Sequence, residues 1–294
     1  MTDLRPGEFA IWASYIQRLC GIKLDPTKEY LLQTRLAPLV RQAGCNDLNE
    51  LYHKTVTDPT GQLAKQVVEA MTTKETYWFR DGGPFEVLGQ VILPELVKAR
   101  AGQGTIRIWS AACSTGQEVY SIAMVAKQTM QCHPGIEIRI LGTDISDQAI
   151  ATASYGRYTD FEVGRGLPKE MLNIYFNRDG AGWRIRDALR AMVYFRKQNL
   201  LEPFLGLGRF DIVFCRNVAI YFSPEDRRSL FNRIADVLNR PGYLIIGGSE
   251  YLTGICDRFE PRRLGRGVYY VLASPLAAST TIEHQPQTCV NACT

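Results

Sequence analysis

Residues 105–144 read TIRIWSAACSTGQEVYSIAMVAKQTMQCHPGIEIRILGTD, and the class of fold can be predicted from this segment. The segments Thr105–Ala112 and Ile136–Asp144 are predicted as β-strands because isoleucine recurs in both. Gln117–Gln131, which lies between them, is predicted as a helix. A strand, a helix and a second strand in succession indicate a parallel sheet with helices packed on its faces.

The same alternation continues toward the C-terminus. Further strands are predicted at Phe210–Cys215, Gly242–Gly247 and Gly267–Ala273. Ser223 and Pro224 begin the helix after the first of these, as an N-cap residue followed by proline at the first helical position. Between about 173 and 198 a hairpin with a glycine-containing turn interrupts the pattern, which predicts a small antiparallel β-subdomain.

An all-α module is predicted before the sheet. Apolar residues recur at helical spacing from Phe9 to Leu19, and a second helix follows Asp25 and Pro26. Lys28 and Arg35, seven residues apart, are expected on one side of that helix, where a solvated flank is the simplest interpretation.

The predicted organisation has four parts. Residues 1–72 form the N-terminal helical module, and residues 73–103 form a linker with the first helix of the next domain. Residues 104–274 form the sheet domain, which includes the small β-subdomain. Residues 275–294 have no periodicity and are predicted to be a flexible tail.

Composition excludes several classes of protein. The 294 residues are 22% charged and 46% hydrophobic, and the net charge of +4 is too small to argue for nucleic-acid binding. No apolar run approaches the roughly 18 residues of a membrane span, and the N-terminus does not resemble a secretory signal. Eight cysteines without a Cys-x-x-Cys pair predict reduced thiols in the cytoplasm. With only three histidines, a zinc site or a Ser-His-Asp triad is not expected.

Two predicted strand ends carry residues suited to ligand binding. The loop from Ser110 to Glu118 is rich in small residues but lacks the Gly-x-Gly-x-x-Gly pattern of dinucleotide-binding loops. Glu118 is either a ligand-binding acid or a first-turn acid of the helix. Asp144 either accepts the hydroxyls of a ribose or caps the next helix, which begins near Ser146. A nucleoside cofactor without phosphates suggests S-adenosylmethionine.

Several segments in this order resemble the CheR family of chemotaxis-receptor methyltransferases over about residues 5–273. The matching segments are GIKLDPTK (21–28), TTKETYWFR (72–80), WSAACSTGQEVYSI (109–122), GTDI (142–145), FDIVFCRNVAIYF (210–222) and GSE (248–250). The resemblance implies an α/β fold with a Rossmann-like, S-adenosylmethionine-dependent methyltransferase sheet, an N-terminal all-α module and a small antiparallel β-subdomain.

The resemblance also implies roles for individual residues. Cofactor contacts are implied for Lys74, Thr76, Arg80, Glu118, Asp144, Asn199, Leu200, Arg216 and Asn217. Within this set, Glu118 resembles the acid that holds the methionine amino group, and Asp144 the acid that holds the ribose. Asn199 and Leu200 resemble the pair that frames the adenine. Lys74 departs from the pattern, since many relatives have asparagine there.

The implied reaction is methylation of receptor glutamates to methyl esters, with S-adenosylhomocysteine as the other product. Arg80 and Tyr221 resemble the residues that flank the methyl group and the incoming substrate. Because a glutamate carboxylate is already ionised at neutral pH, no general base is needed. Lys28 and Arg35 then become candidate contacts for an acidic receptor helix. The expected partners are chemoreceptors, without nucleic acid or membrane insertion, and the enzyme is expected to be monomeric.

Two alternative functions remain open at the level of sequence. A small-molecule or RNA methyltransferase would use the same sheet and ribose acid, but it would have no use for the N-terminal module. A catalytically silent S-adenosylmethionine-binding adaptor would be expected to have lost Arg80 or Tyr221.

The hairpin predicts how the receptor is found. Its turn between Phe176 and Trp183 is shorter than in relatives that dock a receptor's C-terminal pentapeptide tether. Since hairpin register follows loop length, we expect methylation without such a tether.

Overall fold

The computed structural model describes residues 4, 5 and 7–273, so the tail predicted at residues 275–294 lies outside the described residues. Four helices form the N-terminal module: α1 (Glu8–Cys20), α2 (Glu29–Gln42), α3 (Leu48–Thr57) and α4 (Gln62–Met71). Helix α1 ends at Gly21, whose φ of 78° is the left-handed conformation expected of a C-terminal glycine. A 3₁₀ turn at Pro26–Lys28, capped by Asp25, precedes α2.

The module has its own core. Trp12, Tyr15 and Tyr52 meet edge to face, with ring centroids 5.4–6.0 Å apart. The Trp12 indole Nε1–H donates to the carbonyl oxygen of Leu48 at 3.2 Å, which ties α1 to α3. Ile145 of the sheet domain also packs against this core, so the module is joined to the sheet by apolar contact.

The sheet domain continues the chain from residue 83. Its elements are α5 (Gly83–Val87), a π-helical turn (Leu88–Ile92), α6 (Leu93–Ala99), β1 (Gly104–Ala111), α7 (Gln117–Cys132), β2 (Ile136–Asp144), α8 (Asp147–Tyr155), β3 (Arg157–Thr159), α9 (Asp160–Gly164), α10 (Lys169–Tyr175), β4 (Phe176–Asp179), β5 (Gly182–Ile185), α11 (Asp187–Arg190), β6 (Val193–Lys197), β7 (Phe210–Cys215), α12 (Pro224–Val237), β8 (Leu238–Ile246), β9 (Phe259–Leu264) and β10 (Gly267–Leu272).

Seven of these strands form the main sheet, in the order β6-β2-β1-β7-β8-β10-β9. The first five are parallel, and β10 runs antiparallel to both of its neighbours. Every residue of β7 is buried, as expected of a strand with helices on both faces. Alternate side chains of β1, β2, β7 and β8 enter two separate apolar clusters, one on each face. The predicted α/β fold is therefore confirmed.

The small antiparallel subdomain is present, but its extent differs from the predicted 173–198. It has three strands in the order β3-β5-β4, so it begins at Arg157 and ends at Ile185. Val193–Lys197, predicted within it, is instead the edge strand β6 of the main sheet, parallel to β2. β6 is short, largely exposed and charged toward its end, so its sequence lacks the apolar run expected of a strand in the main sheet.

Candidate active site

A pocket opens where β1, β2 and β7 end. This is the switch point of the sheet, because the chain leaves β1 toward β2 on one side and later returns to β7 on the other. The pocket encloses about 960 Å³ of space, part of it open to solvent. Its wall includes ten of the predicted site residues: Lys74, Thr76, Arg80, Glu118, Asp144, Asn199, Leu200, Arg216, Asn217 and Tyr221.

The loop after β1 has an unusual backbone. Ala112, Ser114 and Gly116 have φ values of 58°, 50° and 96°, so alternate residues are left-handed. Such strain in non-glycine residues is found where the surrounding structure enforces it, commonly at functional sites. At Gly116 a Cβ atom would lie 2.9 Å from the Cβ of Ala153, so a side chain is excluded there. The loop therefore brings its backbone close to the pocket.

Asp144 holds this loop in place from the end of β2. Its Oδ2 accepts a hydrogen bond from the Ser114 backbone N–H at 2.8 Å, and its Oδ1 accepts one from the Ser146 N–H at 2.9 Å. Each oxygen keeps one further acceptor position, which suits two ribose hydroxyls. Burial raises the pKa of Asp144 above its ordinary value. The helix cap itself is Ser146, whose Oγ accepts from the Ala149 N–H.

Glu118 and Arg216 face each other across the pocket floor. Arg216 Nη1 donates to Glu118 Oε2 at 2.8 Å, and Ser110 Oγ donates to Glu118 Oε1 at 2.8 Å. Arg216 Nη2 reaches the carbonyl oxygen of Arg80 at 2.9 Å and Asp81 Oδ2 at 2.7 Å. The guanidinium is 1% exposed, so these partners rather than water compensate its charge.

The linker crosses the pocket beside this cluster. Arg80 is partly buried; its guanidinium donates to the carbonyl oxygen of Glu75 at 3.2 Å and lies 5.6 Å from the centre of the Tyr77 ring. Thr76 lines the same wall.

Lys74 also lines the wall, but its ammonium is directed toward protein groups. The Nζ donates to Glu69 Oε2 at 2.7 Å and to Gln148 Oε1 at 2.8 Å. Partial burial alone would raise the pKa of Glu69, but hydrogen bonds from Lys74 and Ser146 outweigh it and lower that pKa. Lys74 therefore joins α4 of the module to α8 of the sheet domain.

Tyr221 stands at the exposed side of the pocket, with 36% of its surface accessible. Its backbone is fixed by three hydrogen bonds to successive carbonyl oxygens. The Lys23 N–H donates to Tyr221 O at 2.8 Å, and the Arg227 guanidinium donates to Ile220 O and Phe222 O at 3.1 Å each. The N-terminal module thus helps to position this tyrosine.

The remaining pocket residues divide by chemistry. The Asn199 side chain is hydrogen-bonded to backbone groups: it donates to Leu19 O at 2.9 Å and accepts from the Leu201 N–H at 3.0 Å. Leu200 is buried and offers an apolar surface. Asn217 is left-handed, with φ of 58°, and its N–H donates to Glu250 Oε2 at 2.8 Å.

Lys28 and Arg35 do not line the pocket. Lys28 is exposed in the 3₁₀ turn before α2. Arg35 instead donates to Met71 O at 2.5 Å and to Thr73 Oγ1 at 3.1 Å, so its side chain ties α2 to the linker.

Sequence reasoning missed several pocket residues. Cys20 and Ile22 of the N-terminal module line the wall, as do Gln198 and Phe222. Burial raises the pKa of the Cys20 thiol to about 11, so the thiol stays protonated and acts as an apolar surface. Gly21 lies between Cys20 and Ile22, and a Cβ atom at this position would come within 2.8 Å of the Phe222 ring. The glycine in the sequence is therefore the one sign that this segment packs closely against the pocket.

The donor set fits a nucleoside cofactor with a cationic side chain. Two carboxylates, Asp144 and Glu118, stand at adjacent strand ends, and Ile145, Leu200 and Val218 supply an apolar wall for a base. Within the described part of the chain no three His, Cys, Asp or Glu side chains are grouped as metal ligands. No helix of the described residues is long and apolar enough to cross a membrane.

An open, mostly parallel sheet with this pocket at its switch point is the architecture of S-adenosylmethionine-dependent methyltransferases. Two family models match the chain: "CheR methyltransferase, all-alpha domain" at residues 7–72 and "CheR methyltransferase, SAM binding domain" at residues 74–268. The chain belongs to the CheR methyltransferase family, and its cofactor is S-adenosylmethionine.

Similar proteins from several bacteria agree with this assignment. The chain is 43% identical to "Chemotaxis protein methyltransferase 1" of Pseudomonas aeruginosa, over 90% of this chain and 97% of that protein. It is also 43% identical to "Chemotaxis protein methyltransferase" of Vibrio anguillarum, over 90% of this chain and 96% of that protein. A third relative, "Chemotaxis protein methyltransferase Cher2" of Pseudomonas putida, is 41% identical over 90% of this chain and 97% of its own length.

Proposed function

We propose that this protein transfers the methyl group of S-adenosylmethionine to glutamate side chains of chemotaxis receptors, forming methyl esters. The observation that carries the proposal is one pocket lined by two sets of residues. Glu118 and Asp144 supply the carboxylates suited to the cofactor, and Arg80 and Tyr221 supply donors suited to an incoming carboxylate. The proposed setting is the cytoplasm, with the enzyme acting as a monomer.

The reaction depends mainly on the alignment of the substrate carboxylate with the methyl group. S-adenosylmethionine supplies an electrophilic methyl group on a sulfonium, and a glutamate carboxylate is an ionised nucleophile at neutral pH. The protein then has to hold the carboxylate oxygen in line with that methyl group, without removing a proton. No histidine is among the described residues that line the pocket, which agrees with a reaction that needs no general base.

Arg80 is suited to orient the substrate carboxylate. One of its Nη atoms is occupied by the carbonyl oxygen of Glu75, and this bond fixes the side chain while leaving other N–H groups for a carboxylate. Tyr221 offers a single hydroxyl donor on a backbone that Lys23 and Arg227 hold rigid. A rigid donor contributes to alignment because less conformational entropy is lost when substrate binds.

The charge available for a receptor helix is smaller than the sequence predicted. Lys28 is exposed and remains a candidate contact for acidic residues, whereas Arg35 is already bound to the linker. We therefore assign encounter with the receptor to Lys28 and assign Arg35 to fixing the module. Attraction through an exposed cation is screened by salt, so the methylation rate should fall as ionic strength rises.

The small sheet supports methylation without a receptor tether. β4 is an edge strand joined to β5 by the two-residue turn Gly180-Ala181. The carbonyl oxygens at both of its ends are occupied by this chain, because Phe176 O accepts from Arg186 at 3.2 Å and Asp179 O from Arg157 at 2.9 Å. An added peptide strand needs acceptors along the free edge of β4, and the bond to Phe176 O occupies one of them, which favours methylation without a docked tether.

The test is transfer of tritiated methyl from the cofactor to receptor-rich membranes, followed by a gel. We expect label in the receptor band, removed by mild alkali, and at an equal rate in a receptor that lacks its C-terminal tail. Label resistant to alkali would indicate N-methylation and contradict the proposal. Cofactor binding without label would indicate a silent adaptor. A large loss on tail truncation would contradict tether independence alone.

A further inference from the structure

Three charged side chains form a row at the pocket floor. Arg216 lies between two carboxylates, with Nη1 2.8 Å from Glu118 Oε2 and Nη2 2.7 Å from Asp81 Oδ2. The Arg216 side chain is 1% exposed and that of Glu118 is 13% exposed, while that of Asp81 is 41% exposed. Glu118 and Arg216 line the pocket, so Asp81 acts on it through Arg216.

The backbone around Asp81 is held in an unfavourable conformation. Asp81 has φ of 69° and Phe79 has φ of 50°, both in the left-handed region, which aspartate tolerates but a bulky phenylalanine avoids. Two contacts enforce this turn: the Phe79 N–H donates to Ser121 Oγ at 3.1 Å, and the Arg80 carbonyl oxygen accepts from Arg216 at 2.9 Å. Strain that the structure maintains in this way commonly serves a functional site. Its effect here is to direct the Asp81 carboxylate at Arg216.

The net charge of these three side chains determines how strongly Glu118 attracts a cation. With Asp81 ionised, two carboxylates share one guanidinium, and the row carries a net charge of −1. With Asp81 neutral, Arg216 and Glu118 form a balanced pair of net charge zero. Charges a few ångströms apart in a partly buried site interact strongly, so the attraction of Glu118 for a cation differs between the two cases.

We propose that Asp81 is a positioning residue for cofactor binding, which draws part of the charge of Arg216 away from Glu118. Glu118 thereby keeps the negative potential needed to bind the α-ammonium group of the cofactor's methionine moiety. This inference rests on the proposed role of Glu118, and it adds Asp81, which is not among the residues that line this pocket. In this arrangement Arg216 links the Glu118 carboxylate to the turn that carries Arg80.

The test uses Asp81→Asn, which keeps the shape of the side chain and an oxygen acceptor for Arg216. Two ligands are titrated by calorimetry: S-adenosylhomocysteine, and its analogue with hydrogen in place of the α-amino group. We expect the variant to bind S-adenosylhomocysteine about five-fold more weakly than the native protein. Binding of the deaminated analogue should change by less than about two-fold, because the two ligands differ only in the ammonium charge. The five-fold difference should shrink at high salt.

Two further variants make the result decisive. Glu118→Gln should reproduce the selective loss for the amino-bearing ligand, and Asp236→Asn, which disrupts the surface pair of Asp236 with Arg258, should leave both affinities unchanged. If Asp81→Asn weakens both ligands equally while Glu118→Gln discriminates between them, Asp81 is only structural and the inference is overturned. If Glu118→Gln also fails to discriminate, the assigned role of Glu118 fails with it. Neither result depends on methyl transfer to a receptor.

Discussion

Replacing Asp144 with asparagine should weaken both the fold and cofactor binding. In the native protein both carboxylate oxygens accept backbone hydrogen bonds, from the N–H groups of Ser114 at 2.8 Å and Ser146 at 2.9 Å. Asparagine keeps one acceptor oxygen and places an NH₂ donor at the other position. One backbone N–H at the end of β2 is then left facing a second donor.

The magnitude follows from the burial of the site, since Asp144 is 9% exposed. A buried donor without a partner costs about 1–3 kcal/mol, so the free energy of unfolding should fall by about 2 kcal/mol. In a protein of this size that corresponds to a decrease in Tm of roughly 3 °C. Loss of a charged acceptor for a ribose hydroxyl costs a further 1.5–3 kcal/mol or so in binding, which is a ten-fold to hundred-fold weaker Kd.

Thermal unfolding and calorimetric titration with S-adenosylhomocysteine measure the two effects separately. The matched control is Asp147→Asn, because Asp147 is a more exposed carboxylate three residues away that pairs with Lys197. We expect the control to retain native Tm and affinity within about 0.5 kcal/mol. If Asp144→Asn behaves like this control in both assays, the carboxylate neither holds the loop nor contacts the cofactor, and the reasoning is refuted.

Three other outcomes are expected. Arg80→Ala should lower kcat by roughly ten-fold or more while changing S-adenosylhomocysteine affinity less than about three-fold; equal losses would make Arg80 a binding residue. Because burial raises the pKa of Asp144, binding of 5′-methylthioadenosine should weaken as pH falls, beginning at a higher pH than an exposed aspartate would require, and Asp144→Asn should abolish that dependence. Gly116→Ala should lower the free energy of unfolding by about 1–3 kcal/mol, because the added methyl group would contact Ala153. Gly82→Ala, whose methyl group would meet no neighbour within 4 Å, should lower it less, and equal thermal stability of the two variants would contradict this.

The strands that position the site were predictable because their burial leaves a clear pattern. β1, β2 and β7 are rich in buried isoleucine and valine, and residues predicted to bind the cofactor lie at the end of β2 or follow the ends of β1 and β7. The edge strands were harder to predict. β6 (Val193–Lys197) and β9 (Phe259–Leu264) are largely exposed and rich in charge, so neither has the apolar run of a buried strand. The prediction consequently assigned β6 to the small subdomain.

Most residues that line the pocket could be predicted from the sequence, but the contacts between them could not. The carboxylates Asp144 and Glu118 follow from strand ends, and the family resemblance supplied most of the remaining pocket residues. One partner of Arg216, by contrast, is Asp81, 135 residues away in the chain. Nothing in local spacing indicates such a contact, because it depends on how the linker crosses the finished sheet. For the same reason, the contact of Arg35 with the start of the linker could not be predicted from the sequence.

The proposed reaction transfers the methyl group to the side-chain oxygen of a receptor glutamate. The most direct measurement incubates a purified chemoreceptor with this protein and S-adenosylmethionine bearing a trideuterated methyl group, and then locates the label by tandem mass spectrometry of receptor peptides. We expect labelled glutamate esters that disappear after mild alkali, and none when Tyr221→Phe and Arg80→Ala are combined. Label on lysine or arginine nitrogen, or an unlabelled receptor under conditions where the cofactor is bound, would contradict it.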